Sequence, residues 1–283
     1  SGLGESLVAA RCKKIAGSCV SMKKSTNVLK TMNGRVESLV HQAGSGPPVV
    51  FLHGAGGPAW DPFLDDLANH FTVYAPSLPG TEGNPDAVRE IRGLWELMLH
   101  YYEVFDQLGL DSPAVIGHSF GGMLAAELAS TNPERVSKLV LISAIGLWRE
   151  DHPVEDWMKL THDELVPLCF YEPEGKIATE MFTMPEDETE RQDEEIKRSW
   201  SLACSAAFIW PIPEKGLTRR IHRAKAPSFI VWGKQDGLVP PVYADDFKSL
   251  LTDAEVFMVD KAAHLPQLER QDVVSPAVIK FLS

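Results

Sequence analysis

The feature that most constrains this sequence is Gly117-His118-Ser119-Phe120-Gly121-Gly122, which follows an apolar run at 114–116 and precedes a helical pattern. A strand that turns directly into a helix needs a tight elbow, so the residues two before and two after the serine must lack bulk. The Ser119 hydroxyl is then exposed at the carboxyl end of the strand, beside the positive end of the helix. The motif therefore predicts a strand, a sharp turn and a helix in that order.

The rest of the chain repeats this alternation. Past residue 25, apolar strand-like runs alternate with amphipathic stretches, a pattern typical of helices packed on a mostly parallel sheet, so the predicted fold class is α/β. Asn33-Gly34 lies between the first two runs and favours a type I′ hairpin, which predicts an antiparallel start. The predicted strands are 27–31, 35–41, 48–53, 72–75, 114–118, 138–143, 228–233 and 256–260, and two helices are predicted at 88–108 and 120–129.

Three regions are distinguished along the chain. Residues 1–24 are predicted to be an N-terminal extension, because their apolar run is too short for the core of a secretory signal. The strand pattern disappears between 145 and 226, where Trp, Met and acidic residues predict a helical insertion able to form a lid. The predicted domains are thus a core at 25–145 and 217–283 and a helical cap at 146–216.

Charge and cysteine content exclude several classes of protein. The 283 residues carry 27 Lys and Arg against 39 Asp and Glu, a formal charge of −12, which argues against nucleic acid as a partner. No apolar run approaches the roughly 20 residues that span a bilayer. The four cysteines, Cys12, Cys19, Cys169 and Cys204, lack the spacing of zinc or redox motifs. They are interpreted as reduced thiols, which predicts a cytoplasmic location.

Two further motifs supply what a serine nucleophile needs. A serine hydroxyl requires an imidazole to accept its proton and a carboxylate to orient that imidazole. Asp236 follows the predicted strand at 228–233, and His264 follows the one at 256–260. Carboxyl ends of parallel strands meet at one edge of the sheet, so Ser119, Asp236 and His264 are the candidate catalytic triad. The alternative is a turn aspartate and a buried loop histidine. The triad chemistry requires no metal or organic cofactor.

The glycine-rich segment His53-Gly54-Ala55-Gly56-Gly57-Pro58 follows another predicted strand. Its amides can point inward because no bulky side chain shields them. The backbone N–H groups of Ala55 and Phe120 are therefore the candidate oxyanion hole. A phosphate cradle is the alternative interpretation, but no Gly-Lys-Ser/Thr follows these glycines.

Taken together, residues 27–283 resemble an α/β-hydrolase of the serine-nucleophile, lid-bearing type. The family's motifs match the segments already quoted: the oxyanion motif, the nucleophile elbow, the acid loop at 232–236 and the histidine loop at 264–269. The resemblance implies a central, mostly parallel eight-stranded sheet flanked by helices, with the cap inserted after the sixth strand. One residue departs from the pattern, because the family usually has Gly where Ala263 stands, and alanine would be strained there at positive φ.

The resemblance also narrows the range of activities that this chain is predicted to have. Dehalogenases and epoxide hydrolases of this family use an aspartate nucleophile, which Ser119 excludes. Carbon–carbon hydrolases of ring-cleavage products usually show Asn before the serine and Trp after the histidine, where this chain has His118 and Leu265. The motif is closer to carboxylesterases and lactonases. The predicted protein is a carboxylic ester hydrolase that acts on a small or medium-sized ester through an acyl-enzyme.

Three alternatives remain open: a carbon–carbon hydrolase of ring-cleavage products, a lactonase, and a ligand-binding receptor with a nearly silent triad. Aromatic residues of the cap could line a pocket above the triad or simply form the cap's own core. Trp60 and Trp148 are the favoured substrate contacts, because they follow the oxyanion loop and begin the insertion. His118 is expected to pack beneath the elbow.

Overall fold

The computed structural model describes residues 23–283. The predicted N-terminal extension therefore lies outside the described residues except for Lys23 and Lys24, as do Cys12 and Cys19. Cys169 and Cys204 are both buried.

An eight-stranded sheet forms the centre of the molecule. Its spatial order is β1-β2-β4-β3-β5-β6-β7-β8, with β2 antiparallel to both β1 and β4 and every other pair parallel. The predicted α/β class and the antiparallel start are confirmed. The strands are β1 Ser25–Thr31, β2 Val36–Ala43, β3 Pro48–Leu52, β4 Thr72–Pro76, β5 Ala114–His118, β6 Leu139–Ile142, β7 Ser228–Gly233 and β8 Ala254–Val259.

The central strands are buried on both faces because helices cover each side of the sheet. In β6, Leu139 and Leu141 join the larger hydrophobic cluster, whereas Val140 and Ile142 join the cluster on the opposite face. Side chains alternate along a strand, so one apolar run supplies both cores. The helices are α1 Pro62–Ala68, α2 Gly93–Gln107, α3 Phe120–Thr131, α4 His162–Cys169, α5 Lys176–Phe182, α6 Glu188–Ile209, α7 Val242–Leu250, α8 Pro266–Glu269 and α9 Gln271–Leu282.

The two predicted helices have different outcomes. The one at 120–129 is confirmed as α3. The one at 88–108 is interrupted: a 3₁₀ helix at Pro85–Glu90 ends before α2 begins at Gly93. Gly93 has a φ of 77°, a left-handed conformation that a continuous α-helix cannot contain.

The predicted two-residue hairpin is wrong in detail. Thr31 pairs with Val36, so the loop contains four residues, 32–35. The left-handed backbone begins at Met32 with a φ of 54° and continues through Asn33 and Gly34. The Asn-Gly pair correctly indicated positive φ, but one further left-handed residue lengthens the turn.

Between β6 and β7 the described chain forms three α-helices, α4, α5 and α6, then two short 3₁₀ helices at Leu217–Arg219 and Ile221–Arg223, and no strand. A capping box of Thr161 and Glu164 begins α4. Buried side chains of this insertion, among them Trp157, Phe170 and Phe208, belong to the larger hydrophobic cluster of the core. We call residues 146–216 the cap segment; that it acts as a separate lid domain remains a prediction. Within 23–283, no helix has the length and apolarity to cross a bilayer.

Candidate active site

Ser119 occupies a strained turn between β5 and α3. Its φ and ψ are 54° and −115°, a conformation that costs a non-glycine residue about 1–3 kcal/mol. A Cβ at Gly117 would lie 2.1 Å from the carbonyl oxygen of Gly121, and one at Gly121 would lie 2.0 Å from that of Leu52. Only glycine fits at either position, which is the physical reason for the elbow motif.

Asp236 and His264 form a buried hydrogen-bonded pair. His264 Nδ1 lies 2.9 Å from Asp236 Oδ2, and their side chains are 5% and 0% exposed. The N–H groups of Leu238 and Val239 donate to Asp236 Oδ1 at 3.0 and 2.9 Å. The second oxygen is thereby directed at the imidazole, which leaves His264 Nε2 available for proton transfer.

His118 brings the serine and the histidine loop together. Its Nε2–H donates to the carbonyl oxygen of His264 at 2.8 Å, and the two rings lie 5.0 Å apart. Burial, assisted by the nearby His264, lowers the pKa of His118 to about 3, so its ring is neutral. Among the described residues no hydrogen bond joins the Ser119 hydroxyl to His264. His118, which directly precedes Ser119, thus links the turn that carries the nucleophile to the backbone of His264.

The glycine-rich loop is held by His53. This imidazole donates from Nδ1 to the carbonyl of Gly54 at 2.7 Å and accepts the Leu78 N–H at 3.0 Å. Burial lowers its pKa, which suits a neutral ring with one donor and one acceptor. The N–H groups of Ala55 and Phe120 make no hydrogen bond within residues 23–283, so both remain able to donate.

The cap segment covers this loop through α6. Ser205 Oγ donates to the carbonyl of Ala55 at 3.3 Å, and a Cβ at Gly57 would lie 2.6 Å from Ser201 Oγ. Ser119 itself is only 6% exposed. Ser201 and Ser205 were not singled out from sequence, although small residues at i, i+4 spacing are the signal that permits close approach of a helix.

The two tryptophans predicted to touch substrate contact other groups in the structure. Trp60 donates to Asp65 at 2.7 Å, lies beneath the Lys24 ammonium and packs on the cluster that contains α1 and α9. Trp148 donates to Glu150 at 2.9 Å and packs on the larger cluster. Neither contact involves the triad, so a role in substrate binding remains a prediction for both.

The departure at Ala263 causes no strain. Within residues 23–283, Lys261 has a positive φ of 56°, whereas the φ of Ala263 is not positive. The tight turn of the histidine loop is thus made two residues earlier than the glycine pattern suggests.

Within residues 23–283, no three His, Cys, Asp or Glu side chains lie together as they would around a metal ion.

Comparisons with known proteins identify the family of this chain. Residues 49–277 match the model of the alpha/beta hydrolase family. The chain is 25% identical over 272 residues to 2-hydroxy-6-oxo-6-(2'-aminophenyl)hexa-2,4-dienoic acid hydrolase of Metapseudomonas resinovorans, covering 88% of this chain and 89% of that protein. It is 26% identical over 254 residues to pimeloyl-(acyl-carrier protein) methyl ester esterase of Vibrio cholerae, covering 84% and 95%.

Among solved structures, a putative lipase from Acinetobacter baumannii superimposes with a TM-score of 0.72 at 19% identity, covering 100% of this chain and 97% of the other. A meta-cleavage product hydrolase from Pseudomonas fluorescens has a TM-score of 0.66 at 20% identity, covering 87% and 94%. These likenesses show the fold, and the family model matches most of the chain. The resemblance noted from the motifs is confirmed: this chain belongs to the alpha/beta hydrolase family.

Proposed function

We propose that this protein is a serine hydrolase that cleaves a carboxylic ester of a small or medium-sized substrate. The observation that carries the proposal is the buried His264–Asp236 pair, 2.9 Å apart, linked through His118 to the left-handed Ser119. A buried carboxylate on Nδ1 gives the imidazole the tautomer that accepts a proton at Nε2. The nucleophile, base and orienting acid then have the order and environment that acyl transfer needs.

The reaction follows from these positions. Ser119 attacks the ester carbonyl while His264 takes its proton, and the Ala55 and Phe120 N–H groups stabilise the oxyanion. His264 then protonates the departing alcohol. Water, deprotonated by the same histidine, attacks the acyl-enzyme and releases the acid. Loss of one oxyanion donor typically costs about 10²–10³ in kcat.

Charge favours an ester over the carboxylate-bearing dienoates named for some relatives. The cap segment contains 7 Lys and Arg against 17 Asp and Glu, a formal charge of −10. Within 23–283, no Lys or Arg is buried, and Arg149 and Arg220 are paired with Asp246 and Glu127. A substrate carboxylate held near the triad would need a cationic partner to offset its desolvation. A neutral ester or lactone does not.

The test is hydrolysis of p-nitrophenyl esters from acetate to laurate by the wild type and by Ser119→Ala, with one lactone and one ring-cleavage dienoate alongside. Ester turnover is expected to fall by at least about 10⁴-fold in Ser119→Ala. Ser130→Ala is the matched control, because Ser130 is a buried serine on the same helix whose hydroxyl donates to the Ala126 carbonyl.

Ester turnover that survives in Ser119→Ala within a few fold would overturn the assignment. Activity on the dienoate or the lactone alone would keep the triad and replace the substrate class. Tight ligand binding without turnover would favour the receptor alternative. The cytoplasmic location remains a prediction from the cysteine pattern.

A further inference from the structure

Glu269, at the end of α8, connects two segments that are far apart in the chain. Its Oε2 accepts the N–H of Ala263 at 2.7 Å, and its Oε1 accepts the N–H of Tyr171 at 2.6 Å. Ala263 directly precedes His264, whereas Tyr171 belongs to the cap segment just after α4. One carboxylate therefore joins the histidine loop to the cap.

Backbone hydrogen bonds continue this connection on both sides. The N–H of His264 donates to the carbonyl of Cys169 at 3.0 Å, and the N–H of Gly237, beside Asp236, donates to the carbonyl of Leu168 at 3.1 Å. The end of α4 is thus bonded to the loops that carry both the histidine and its orienting acid. We call residues 168–171 the cap anchor.

Glu269 is the only side chain in these three links, since the other two are made by main-chain atoms. It is half-buried, and its neighbour Arg270 donates instead to Asp272 and to the carbonyl of Asp260. Burial and the nearby Asp236 raise the pKa of Glu269, whereas the N–H groups of Ala263, Tyr171 and Glu172 lower it. On balance the pKa of Glu269 is raised, so these backbone N–H groups only partly offset the cost of burying its charge.

We propose that Glu269 is a positioning residue that makes the placement of His264 depend on the docked cap anchor. Its two acceptor oxygens hold the backbone before His264 against the cap, which keeps the imidazole aligned with Asp236. The consequence for activity rests on the proposed function, because it requires His264 to be the base. The physical link between the two segments does not.

The variant E269Q isolates this link. Glutamine has nearly the same size but only one acceptor oxygen, so one of the two N–H groups must lose its partner. The matched control is E103Q, because Glu103 Oε2 accepts the Met32 N–H at 2.6 Å and also joins two distant segments, yet belongs to α2.

The first measurement is ester turnover per active site, with sites counted by titration with a fluorophosphonate. E269Q is expected to lower kcat about tenfold and E269A about 100-fold, with KM within about threefold, because a misplaced base slows chemistry more than binding. E103Q is expected to stay within twofold of the wild type. A role in packing alone would change the melting temperature but leave the rate per titrated site unchanged, and that result in E269Q would overturn the proposal.

The second measurement is amide hydrogen exchange, which needs no substrate. E269Q is expected to speed exchange about tenfold in the peptide that contains Tyr171 and in the one that contains Ala263. E103Q is expected to leave exchange in both peptides unchanged, because the one oxygen of glutamine can still accept the single Met32 N–H. Faster exchange in one peptide alone would overturn the coupling. If the wild type cleaves no ester, the proposed function is wrong. Amide exchange in E269Q then still tests whether Glu269 couples the cap anchor to the histidine loop. Should E269Q fail to fold, E269D, too short to reach both N–H groups, is expected to give the same paired increase.

Discussion

The parallel strands and the cap segment meet at the same edge of the sheet, but they are composed of different residues. β5 and β6 are wholly buried and contain no Lys, Arg, Asp or Glu, whereas the cap segment carries −10 of the chain's formal charge of −12. Burial of apolar strands is largely indifferent to salt, and exposed charge is screened by it. The sheet is therefore held by apolar packing, while the cap combines buried apolar contacts, such as those of Trp157 and Phe208, with an exposed charged surface.

The same difference appears within α6. Most of residues 188–199 are exposed and most are charged, whereas the following turns contribute buried Ser201, Cys204, Ser205, Phe208 and Ile209. The exposed part keeps the cap hydrated, and the buried part covers the oxyanion loop. One helix thus changes from solvated surface to cap contact along its length.

The largest effect on stability is expected at Gly121, where the backbone of β3 leaves no space for a side chain. Gly121→Ala places a Cβ about 2.0 Å from the Leu52 carbonyl, so the elbow must move, and we expect a loss of about 3 kcal/mol or more in the free energy of unfolding. Urea unfolding measures it. Gly56→Ala is the control, because a Cβ there meets nothing within 4 Å and the change should cost under about 1 kcal/mol. Equal losses in both variants would show that the elbow is no more rigid than the loop beside it.

We expect a buried histidine of the core, rather than the exposed histidines of the cap, to make the free energy of unfolding depend on pH. Burial lowers the pKa of His100 to about 3, whereas His152 and His162 of the cap have side chains 52% and 53% exposed. Between pH 6.5 and 3 the unfolded chain binds a proton at His100 that the folded chain does not. Stability therefore falls as pH falls, by on the order of 1 kcal/mol per unit from this side chain.

His100→Asn should remove that contribution and make the plot of unfolding free energy against pH less steep, while the buried His118 and His53 keep theirs. Urea midpoints between pH 4 and 7 measure the slope. The exposed His70 provides the control, since His70→Asn should leave the slope as in the wild type. An unchanged slope in His100→Asn would show that acid sensitivity arises elsewhere in the molecule.

The smallest effect is expected from a single cap contact. Ser205→Ala removes the 3.3 Å hydrogen bond to Ala55, and we expect a loss of about 0.5–1 kcal/mol in stability and less than threefold in kcat/KM. Ser275→Ala should be neutral, because that buried hydroxyl on α9 has no partner in the described residues. A loss of tenfold or more in Ser205→Ala would mean that α6 controls the oxyanion loop, and the division between core and cap would fail.

Local patterns explain what was predicted well. The strands, the elbow and α3 depend on neighbouring residues, so hydrophobic periodicity and two obligatory glycines indicate them. The same holds for the chain order of Ser119, Asp236 and His264. The interruption before α2 and the four-residue hairpin loop were missed, because both depend on backbone conformations at Gly93 and Met32 that the hydrophobic pattern does not encode.

Long-range contacts explain the rest. Trp60 packs on the face that carries α1 and α9, a contact that its place after the oxyanion loop does not indicate, and its role in substrate binding stays a prediction. Glu269 and Tyr171, which are hydrogen-bonded, are 98 positions apart in the chain. His264 and Cys169, which are also hydrogen-bonded, are roughly 95 positions apart. No local pattern contains such a pairing, because it exists only once both segments are packed.

The sequence by itself thus determined the α/β class, the sheet's antiparallel start and the positions of the three candidate catalytic residues, because each depends on a local turn or on residues that alternate along a strand. Only the tertiary structure decided how those residues are held. His118 reaches the backbone of His264, the cap anchor bonds to the loops beside Asp236 and His264, and Glu269 completes the connection. These contacts require chain segments brought together by burial, and burial is a property of the whole fold.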